Sequence, residues 1–550
     1  MRKADSITES KKQSKVIKVE LSEPQNEIIQ ARAAIIGNIA GQGAGKTKVI
    51  GLITGYFIQA FPEAKGFIGA NTIEQLSSST LSRVFEEWET VYGWSAYDKN
   101  TNPGGFYVVG QRPPNIGSWK KPRYKFKNYN SIISFKNGCS VFMGALTNYK
   151  AHDGKEFTWA HLDETKDTPE RAVKDVILGR LRQVGLWLTP NNKPIWSPMI
   201  TNEIAQRQGL RSWNPLYIHS SPAEGTVEWL INLLGIKDYQ KEILETVTKR
   251  DDYFFKYITV RDDKGKVLAD TAVCIYSSFW NEDNLPSGFI GNKLARSSKS
   301  EALKFIYGYP FGRNGGEYFP AFDRFKFVGD YPYKKGLPIF TSWDFNATPY
   351  VTLLCAHVEY INRWYDAKTG AKYDERIEGA EQIEVLRITF FREYCMVHPR
   401  NRTEDTAEQF ALDYESESPD VFAYGDASGH SRIEGLGALT QYKMIENVWR
   451  SKLYLNNGWL RAKRKNMQVQ KRKDFMNKLF EQKLPEVEIL IDASCENLIR
   501  DCEYLLEGKD GGKHKETEKD ANGIEFQKLG HPADAMEYIV CEVCSEYIKN

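Results

Sequence analysis

The residues Ala40-Gly41-Gln42-Gly43-Ala44-Gly45-Lys46-Thr47 have the types and order that wrap a phosphate chain. Glycines let backbone N–H groups converge on phosphate oxygens, and the N-terminus of a following helix adds positive partial charge. In such a P-loop Gly41, Gly43, Ala44 and Gly45 would cradle the phosphates of ATP. Lys46 would reach the β and γ phosphates, and the Thr47 hydroxyl would bind Mg²⁺. Position one is Ala40 rather than Gly, which the wider A/G form of the motif allows. Downstream, the mostly apolar run Phe157–Leu162 ends in Asp163-Glu164. Asp163 would hold Mg²⁺ through water, and Glu164 would orient and polarise an attacking water. An apolar run ending in two acids could equally be a strand end facing solvent; the preceding P-loop makes the chemical reading the stronger one. His161, inside that run, reads as a packed or edge residue rather than a ligand. Upstream, the Gln25 amide offers both a donor and an acceptor to an adenine edge, although an ordinary exposed glutamine fits the local sequence as well.

A third set of candidates lies in the second half. Asp344 interrupts the apolar run Pro338–Asn346, and Asp426 ends Val421–Gly425. Asp534 lies near the start of a late helical segment beginning at His531. A buried carboxylate in a strand costs free energy unless it is paired or bound to metal. Two strand aspartates and one helix aspartate make an acidic cluster of the RNase H-like kind. Such a cluster holds two divalent ions, Mg²⁺ or Mn²⁺, that activate water and stabilise the leaving oxygen of a phosphodiester. Spacing alone leaves this level with three unrelated surface acids. Glu393, at the end of another strand pattern, is a weaker fourth candidate. Between Asp426 and Asp534 lie Lys463-Arg464-Lys465 and Lys471-Arg472-Lys473. With Met467, Val469, Phe475, Met476 and Leu479 on one face, the other face is expected to be basic and to contact DNA phosphates through Lys463, Arg464, Lys465, Lys471 and Arg472.

The elements that must position these residues are legible in outline. Ala33–Ile36 reads as a buried strand feeding the glycine loop, and Val49–Ile58 as the helix leaving it. Lys65–Ala70 reads as a strand and Asn71–Trp88 as a helix. Asn137-Gly138 between two apolar runs marks a hairpin. Ile195–Asn202 reads as a strand coupling the γ-phosphate to movement, with Thr201 and Asn202 as candidate sensors. The polar, glycine-bearing stretch from Gly508 to Asp520 reads as a loop able to cover or gate Asp534. The expected layout is a tail over residues 1–20, a P-loop ATPase core over 21–225, a lid and linker over 226–334, and a second α/β domain over 335–550.

Bulk properties narrow the rest. Seventy-four Lys and Arg against 72 Asp and Glu leave a net charge of +2, so any nucleic-acid surface must be local. No run of eighteen apolar residues occurs, so no helical membrane span is expected. The polar start, Met1–Glu20, lacks the apolar core of a signal peptide and reads as a disordered tail. Eight scattered cysteines read as reduced thiols, Cys541-x-x-Cys544 included, because no second pair stands at zinc spacing.

The order Gln25, AGQGAGKT (40–47), HLDE (161–164), SWDFN (342–346), YGDASG (424–429) and HPADAMEY (531–538) resembles the large terminase subunit of tailed double-stranded DNA bacteriophages. The resemblance runs from about residue 22 to the C-terminus, and Phe305–Pro320 looks like that family's inter-domain stretch. It implies an N-terminal ASCE-type P-loop ATPase and a C-terminal RNase H-like nuclease. The implied activity is an ATP-driven motor that moves viral DNA into the procapsid, together with a two-metal endonuclease that cuts concatemers to start and end packaging. Lys46, Thr47, Asp163 and Glu164 take the ATPase roles, and Asp344, Asp426 and Asp534 the nuclease roles. The implied partners are double-stranded DNA, the portal protein, the small terminase subunit and further copies in a homo-oligomeric ring, a pentamer, the isolated chain being a monomer. The implied place is the host cytoplasm, docked transiently on the portal and absent from the mature virion. Two departures stand out. The arginine many members carry before the Asp-Glu strand is missing from Tyr149–Gly154, leaving Lys150, Arg180 or Arg182 as substitutes. A charged insert, Asp366–Gln382, reads as a surface hairpin. A helicase-type ATPase would need a second motor core, and none is found after residue 225; a non-enzymatic assembly protein would leave Glu164 and the aspartates without purpose.

Overall fold

Ile35–Ala40 is apolar without alternation, the pattern of a strand covered on both faces, and in the computed structural model all six of its residues are buried. The structure describes residues 19–548 apart from 121–125, 223–227, 262–264, 312–315, 347, 368–369, 434–437, 515–516, 520–524 and 528. The expected tail therefore lies almost wholly outside the described residues. The chain divides into two units, Met1–Gly312 and Arg313–Asn550.

The first unit is built on strands β1 (Ile35–Ala40), β2 (Lys65–Ala70), β3 (Tyr107–Val109), β4 (Ile132–Phe135), β5 (Ser140–Ala145), β6 (Trp159–Asp163), β7 (Leu186–Leu188), β8 (Pro194–Trp196), β9 (Arg211–Ser212), β10 (Leu216–Ser220), β11 (Phe254–Arg261) and β12 (Val267–Tyr276). Nine of them form one sheet in the order β11-β12-β1-β10-β6-β2-β5-β4-β3. Its middle, β12-β1-β10-β6-β2-β5, is parallel throughout. Side chains alternate across β1: Ile36 and Ala40 enter one core with Val49, Ile53 and Phe57 of the helix Lys46–Ala60. Ile35 and Ile39 enter the opposite core with Leu230, Leu234 and Ile243. The Asn137-Gly138 turn joins β4 to β5, with Gly138 at φ 88°.

Two expectations change here. Ile195–Asn202 is not a strand of the main sheet. β8 pairs with β7 in a small separate sheet β8-β7-β9; it begins at Pro194 and Pro198 follows it, and a proline cannot donate to a central ladder. Thr201 instead caps the helix Asn202–Arg207, its hydroxyl accepting from the Ile204 N–H at 3.3 Å. The strand beside β6 is β10. The stretch 226–334 also differs from a lid and linker: β12 pairs in parallel with β1, and β11 extends the same sheet.

The second unit holds β13 (Val328–Gly329), β14 (Ile339–Asp344), β15 (Thr352–Asp366), β16 (Ala371–Tyr373), β17 (Glu381–Cys395), β18 (Val421–Gly425) and β19 (Val487–Asp492), in the order β13-β19-β17-β15-β14-β18 with β16 on β15. β15 and β17 are 15-residue antiparallel strands, and the charged insert Asp366–Gln382 forms the far end of their hairpin. β14 runs parallel to β18. Ile339 and Trp343 face a core with Phe410, Ile445 and Trp449. On the other face the Ser342 hydroxyl donates to the Ala535 carbonyl at 2.6 Å, which seats the helix His531–Val543 on β14. Alternation then turns Asp344 toward that helix.

Tyr318, Phe319, Phe322 and Phe327 belong to this unit's core, around Phe480. A fragment 316–550 is therefore expected to melt cooperatively by circular dichroism. A fragment 335–550, which leaves Phe480 with a void where three rings were, is expected to be unfolded or aggregated, because each lost aromatic side chain costs about 3–5 kcal/mol.

Candidate functional site

The glycine loop is held from outside its own strand. The Gly41 N–H donates to the Tyr276 carbonyl at 3.1 Å and the Gln42 N–H to the Phe305 carbonyl at 2.7 Å. A Cβ on Gly41 would lie 2.3 Å from the Ile306 oxygen, so no side chain fits there. Gly45 takes φ 85°, the left-handed region that favours glycine, immediately before the helix Lys46–Ala60. The Lys46 side chain is buried, and its ammonium donates to the carbonyls of Ala40 (3.1 Å) and Gly41 (3.0 Å). Burial lowers its pKa, and the charges of Glu164 and Asp163 oppose that.

Asp163, at the end of β6, is 3% exposed. One carboxylate oxygen, Oδ2, accepts from the Thr80 hydroxyl at 2.7 Å and lies 3.5 Å from the Thr47 hydroxyl; Oδ1 accepts from the Glu164 N–H at 3.1 Å. Burial, and then the neighbouring Glu164 charge, push its pKa up to about 6. Glu164 has φ 47° and ψ 48°, a left-handed conformation that costs a non-glycine residue about 1–3 kcal/mol. Its Oε1 is 3.4 Å from the Ser221 hydroxyl beyond β10, and its Oε2 is buried without a protein donor among the described residues. A buried carboxylate oxygen lacking a donor is unfavourable; a water there would be held where Glu164 can polarise it.

Gln25 is buried rather than exposed. Its amide donates to the Ala44 carbonyl at 3.4 Å and accepts from the Ser22 N–H at 3.2 Å, so it braces the loop. Asn281 donates to the Gly43 carbonyl at 2.6 Å from the other side. His161 is fully buried and pairs with His219 at 3.0 Å, a packed position. Of the three substitutes for the missing arginine, Arg180 pairs with Asp153 and Arg182 with Glu156, whereas Lys150 is exposed. Sequence reasoning missed Thr80, Ser221 and Asn281. Ser221 follows the strand pattern Leu216–Ser220 and was within reach; Thr80 sits in the hydroxyl run Ser77–Thr80 with nothing to single it out. It lies in a π-helical turn, Leu76–Leu81.

In the second unit Trp343 and Gly425 are in register, and the Asp426 N–H donates to the Trp343 carbonyl at 2.9 Å. Asp344 and Asp426 therefore leave the same end of adjacent parallel strands. Asp344, 2% exposed, accepts from Asn346 and pairs with His531 Nδ1, both at 2.9 Å. Burial raises its pKa, and the Asp534 charge adds to this against His531 and Asn346. Asp426 accepts from the Ser428 N–H (3.0 Å), the Ser428 hydroxyl (2.8 Å) and the Asn466 amide (2.7 Å). Asp534 pairs with Arg472 at 2.9 Å and Lys513 at 2.8 Å. Tyr538 sits among the three: burial first, then the charges of Asp534, Asp426 and Asp344, raise its hydroxyl pKa. Their oxygens suit hard divalent cations. As they stand, however, no three His, Cys, Asp or Glu side chains among the described residues are gathered closely enough to hold one metal ion.

Two expected residues belong elsewhere. Arg472 is 3% exposed and lies against Asp534 and Glu537 rather than on a DNA-facing surface. Glu393 accepts from the N–H groups of Asn497 and Leu498 and so caps the helix Glu496–Tyr504, away from the aspartates. Arg464, Lys465 and Lys471 are exposed, and Lys463 is exposed beside Glu542. Lys463, Lys465, Asn466 and Tyr538 line one groove.

No family model and no curated protein matches the chain. Large terminase structures from several phages match most of it. The large terminase of a thermophilic bacteriophage is 13% identical over 96% of this chain and 99% of its own, with a TM-score of 0.31. The HK97 bacteriophage large terminase is 12% identical over 95% of this chain and 94% of its own, TM-score 0.31. The Thermus phage P74-26 large terminase ATPase domain is 13% identical over 53% of this chain and 94% of its own, TM-score 0.30. Likeness at this level does not decide what the chain does; the side chains must.

The Thr80 hydroxyl is the shortest contact to Asp163 and is itself buried. Thr80→Val is expected to lower ATP turnover about tenfold at limiting Mg²⁺ and less at saturating Mg²⁺, from the loss of one hydrogen bond to a charged group. Steady-state hydrolysis across a Mg²⁺ titration checks this, and an unchanged Mg²⁺ dependence would remove Asp163 from the metal-binding role.

Proposed function

We propose that this chain is a large terminase subunit, an ATP-hydrolysing motor that moves viral double-stranded DNA into a procapsid and a metal-dependent endonuclease that cuts it. What supports this most is the pairing, in one chain, of a glycine loop meeting Asp163-Glu164 with a second sheet whose adjacent parallel strands end in Asp344 and Asp426 beside the Asp534 helix. The antiparallel β17-β15-β14 with parallel β18 supports reading the second unit as RNase H-like.

In the first unit the loop N–H groups and Lys46 bind the phosphates, and Thr47 and Asp163 hold Mg²⁺. Glu164, set by its left-handed backbone and by Ser221, takes a proton from the attacking water and orients it. Mg²⁺ held by Thr47 and Asp163 would supply charge neutralisation at the phosphates. In the second unit Asn346 and His531 fix the Asp344 carboxylate, while Ser428 and Asn466 fix Asp426. These two face the scissile phosphodiester. Asp344 and Asp426 would hold a divalent ion, which would supply the charge to lower the pKa of water and to stabilise the leaving oxygen. Arg464, Lys465 and Lys471, with Lys463, contact the DNA backbone at the rim. The portal, the small subunit and a ring of further copies are the partners this reading brings, in the host cytoplasm. No described helix is long and apolar enough to cross a membrane.

Lys46→Ala is expected to cut ATP turnover by at least about 100-fold, the usual scale for removing a charge-stabilising donor, while leaving plasmid cleavage intact. Asp426→Ala is expected to abolish Mg²⁺- or Mn²⁺-dependent cleavage and spare hydrolysis. Loss of both activities in either variant would contradict two separate centres. Neutralising Arg464, Lys465 and Lys471 together should weaken DNA binding equally for all sequences and flatten the slope of log K against log salt by about 0.9 per lost phosphate contact. A slope that does not move would make these side chains an ordinary solvated face.

A further inference from the structure

Asp534 meets two strong cations within the protein, whereas Asp344 has only the His531 imidazole and Asp426 has no cationic partner among the described residues. Arg472, from the helix Val469–Phe480, donates to Asp534 at 2.9 Å and to Glu537 at 3.0 Å. Lys513 lies 2.8 Å from Asp534 and 3.2 Å from Glu537. Asp534 and Glu537 stand three residues apart, on one face of their helix. Glu537 is fully buried, and the Arg472 and Lys513 side chains are 4% and 7% exposed. Aromatic faces complete the enclosure: the Arg472 guanidinium lies 4.6 Å from the Tyr538 ring and the Lys513 ammonium 5.3 Å from the Tyr318 ring. Two acids and two permanent cations thus form a closed group of zero net charge. Neither Asp344 nor Asp426 has a lysine or arginine partner among the described residues; Asn346, His531, Ser428 and Asn466 hold them. The carboxylates without a lysine or arginine partner lie at the ends of β14 and β18, and the place for a cation at Asp534 is filled.

We propose that the second unit takes one divalent cation, held by Asp344 and Asp426, and that Arg472 and Lys513 stand where a second ion would bind at Asp534 and Glu537. This rests on the nuclease reading above and replaces the two ions expected from the acidic cluster. A dication at Asp534 would face an ammonium and a guanidinium already in contact with its carboxylate. It would have to expel at least one into an apolar, aromatic surrounding. Lys513 and Arg472 are positioning residues here: charges that hold the helix carboxylates and balance them without metal.

The test is the stoichiometry of Mn²⁺ binding, read by electron paramagnetic resonance of free Mn²⁺ against the full-length chain without nucleotide. Every sample carries Asp163→Asn, so that the first unit contributes no ion. One Mn²⁺ per chain is expected, weakened at least tenfold by Asp426→Asn and changed less than twofold by Asp534→Asn. Lys513→Met is expected to admit a second Mn²⁺. Two ions in the chain with Lys513 intact, or loss of the single ion in Asp534→Asn, overturns the proposal while leaving a metal nuclease standing. A folded Lys513→Met chain that still takes one ion removes Lys513 from the role; should that variant not fold, the Asp534→Asn stoichiometry decides. Absence of any Mn²⁺ binding overturns both this proposal and the metal reading of the cluster.

Discussion

A carboxylate withdrawn from water loses several kcal/mol of hydration that something nearby must return, and each unit is arranged around where that return comes from. Asp163 gets it from the Thr80 hydroxyl, the Glu164 N–H and the Lys46 ammonium, and even so its pKa rises to about 6. Asp344 gets it from His531 and Asn346, and burial still raises its pKa. Asp534 gets it from two cations, Arg472 and Lys513, which also face Glu537, although burial still raises the Glu537 pKa. Compensation is therefore incomplete at Asp163 and Asp344, the positions facing the proposed phosphate chemistry, and complete at Asp534. Incomplete compensation is what leaves a protein site able to gain from binding a cation.

Parallel strands explain why the acids meet at all. In a parallel pair, neighbouring strands end at the same edge, so residues just beyond their C-terminal ends converge. β1, β6 and β10 lie side by side, and the glycine loop, Asp163-Glu164 and Ser221 follow their three ends. β14 and β18 repeat the device with Asp344 and Asp426. Ala533 and Ala535 let the last helix approach β14 closely enough for the Ser342 hydroxyl to reach a helix carbonyl. A larger residue at either place would lift Asp534 away from its neighbours.

What could be read from residues alone follows the range of the forces involved. The glycine loop, the strand ending in Asp163-Glu164 and the aspartate strands are legible because each is a local pattern of burial and backbone freedom. The same holds for the Asn137-Gly138 hairpin and the hairpin at Asp366–Gln382. The coupling strand is misplaced at Ile195–Asn202 because a short apolar run has no sign of which sheet it joins; Pro194 just before it and Pro198 within it are the available clue. The lid boundary fails for a related reason: β12 joins β1 across more than two hundred residues of chain, and nothing local announces such a partner. Arg472 reads as part of a basic surface because charge runs are usually solvated. Its neighbours Phe475 and Met476 are core residues, and helical spacing puts Arg472 on their face.

Glu164 shows how the fold can hold a reactive group in an unfavourable state. Its left-handed backbone and the donor-less Oε2 each cost free energy. Relaxing either would mean turning the side chain out of the gap between β6 and β10. The backbone is fixed at both ends, however: the Glu164 N–H is bonded to Asp163, and the Lys166 N–H to the Ser220 hydroxyl at 2.9 Å. The sheet beneath, paired from β12 through β5, absorbs that cost over many contacts. Among the described residues a carboxylate so confined keeps one oxygen free of protein donors, and in the proposed ATPase role the geometry that makes it costly at rest is what would direct it toward water at the phosphate end of the loop.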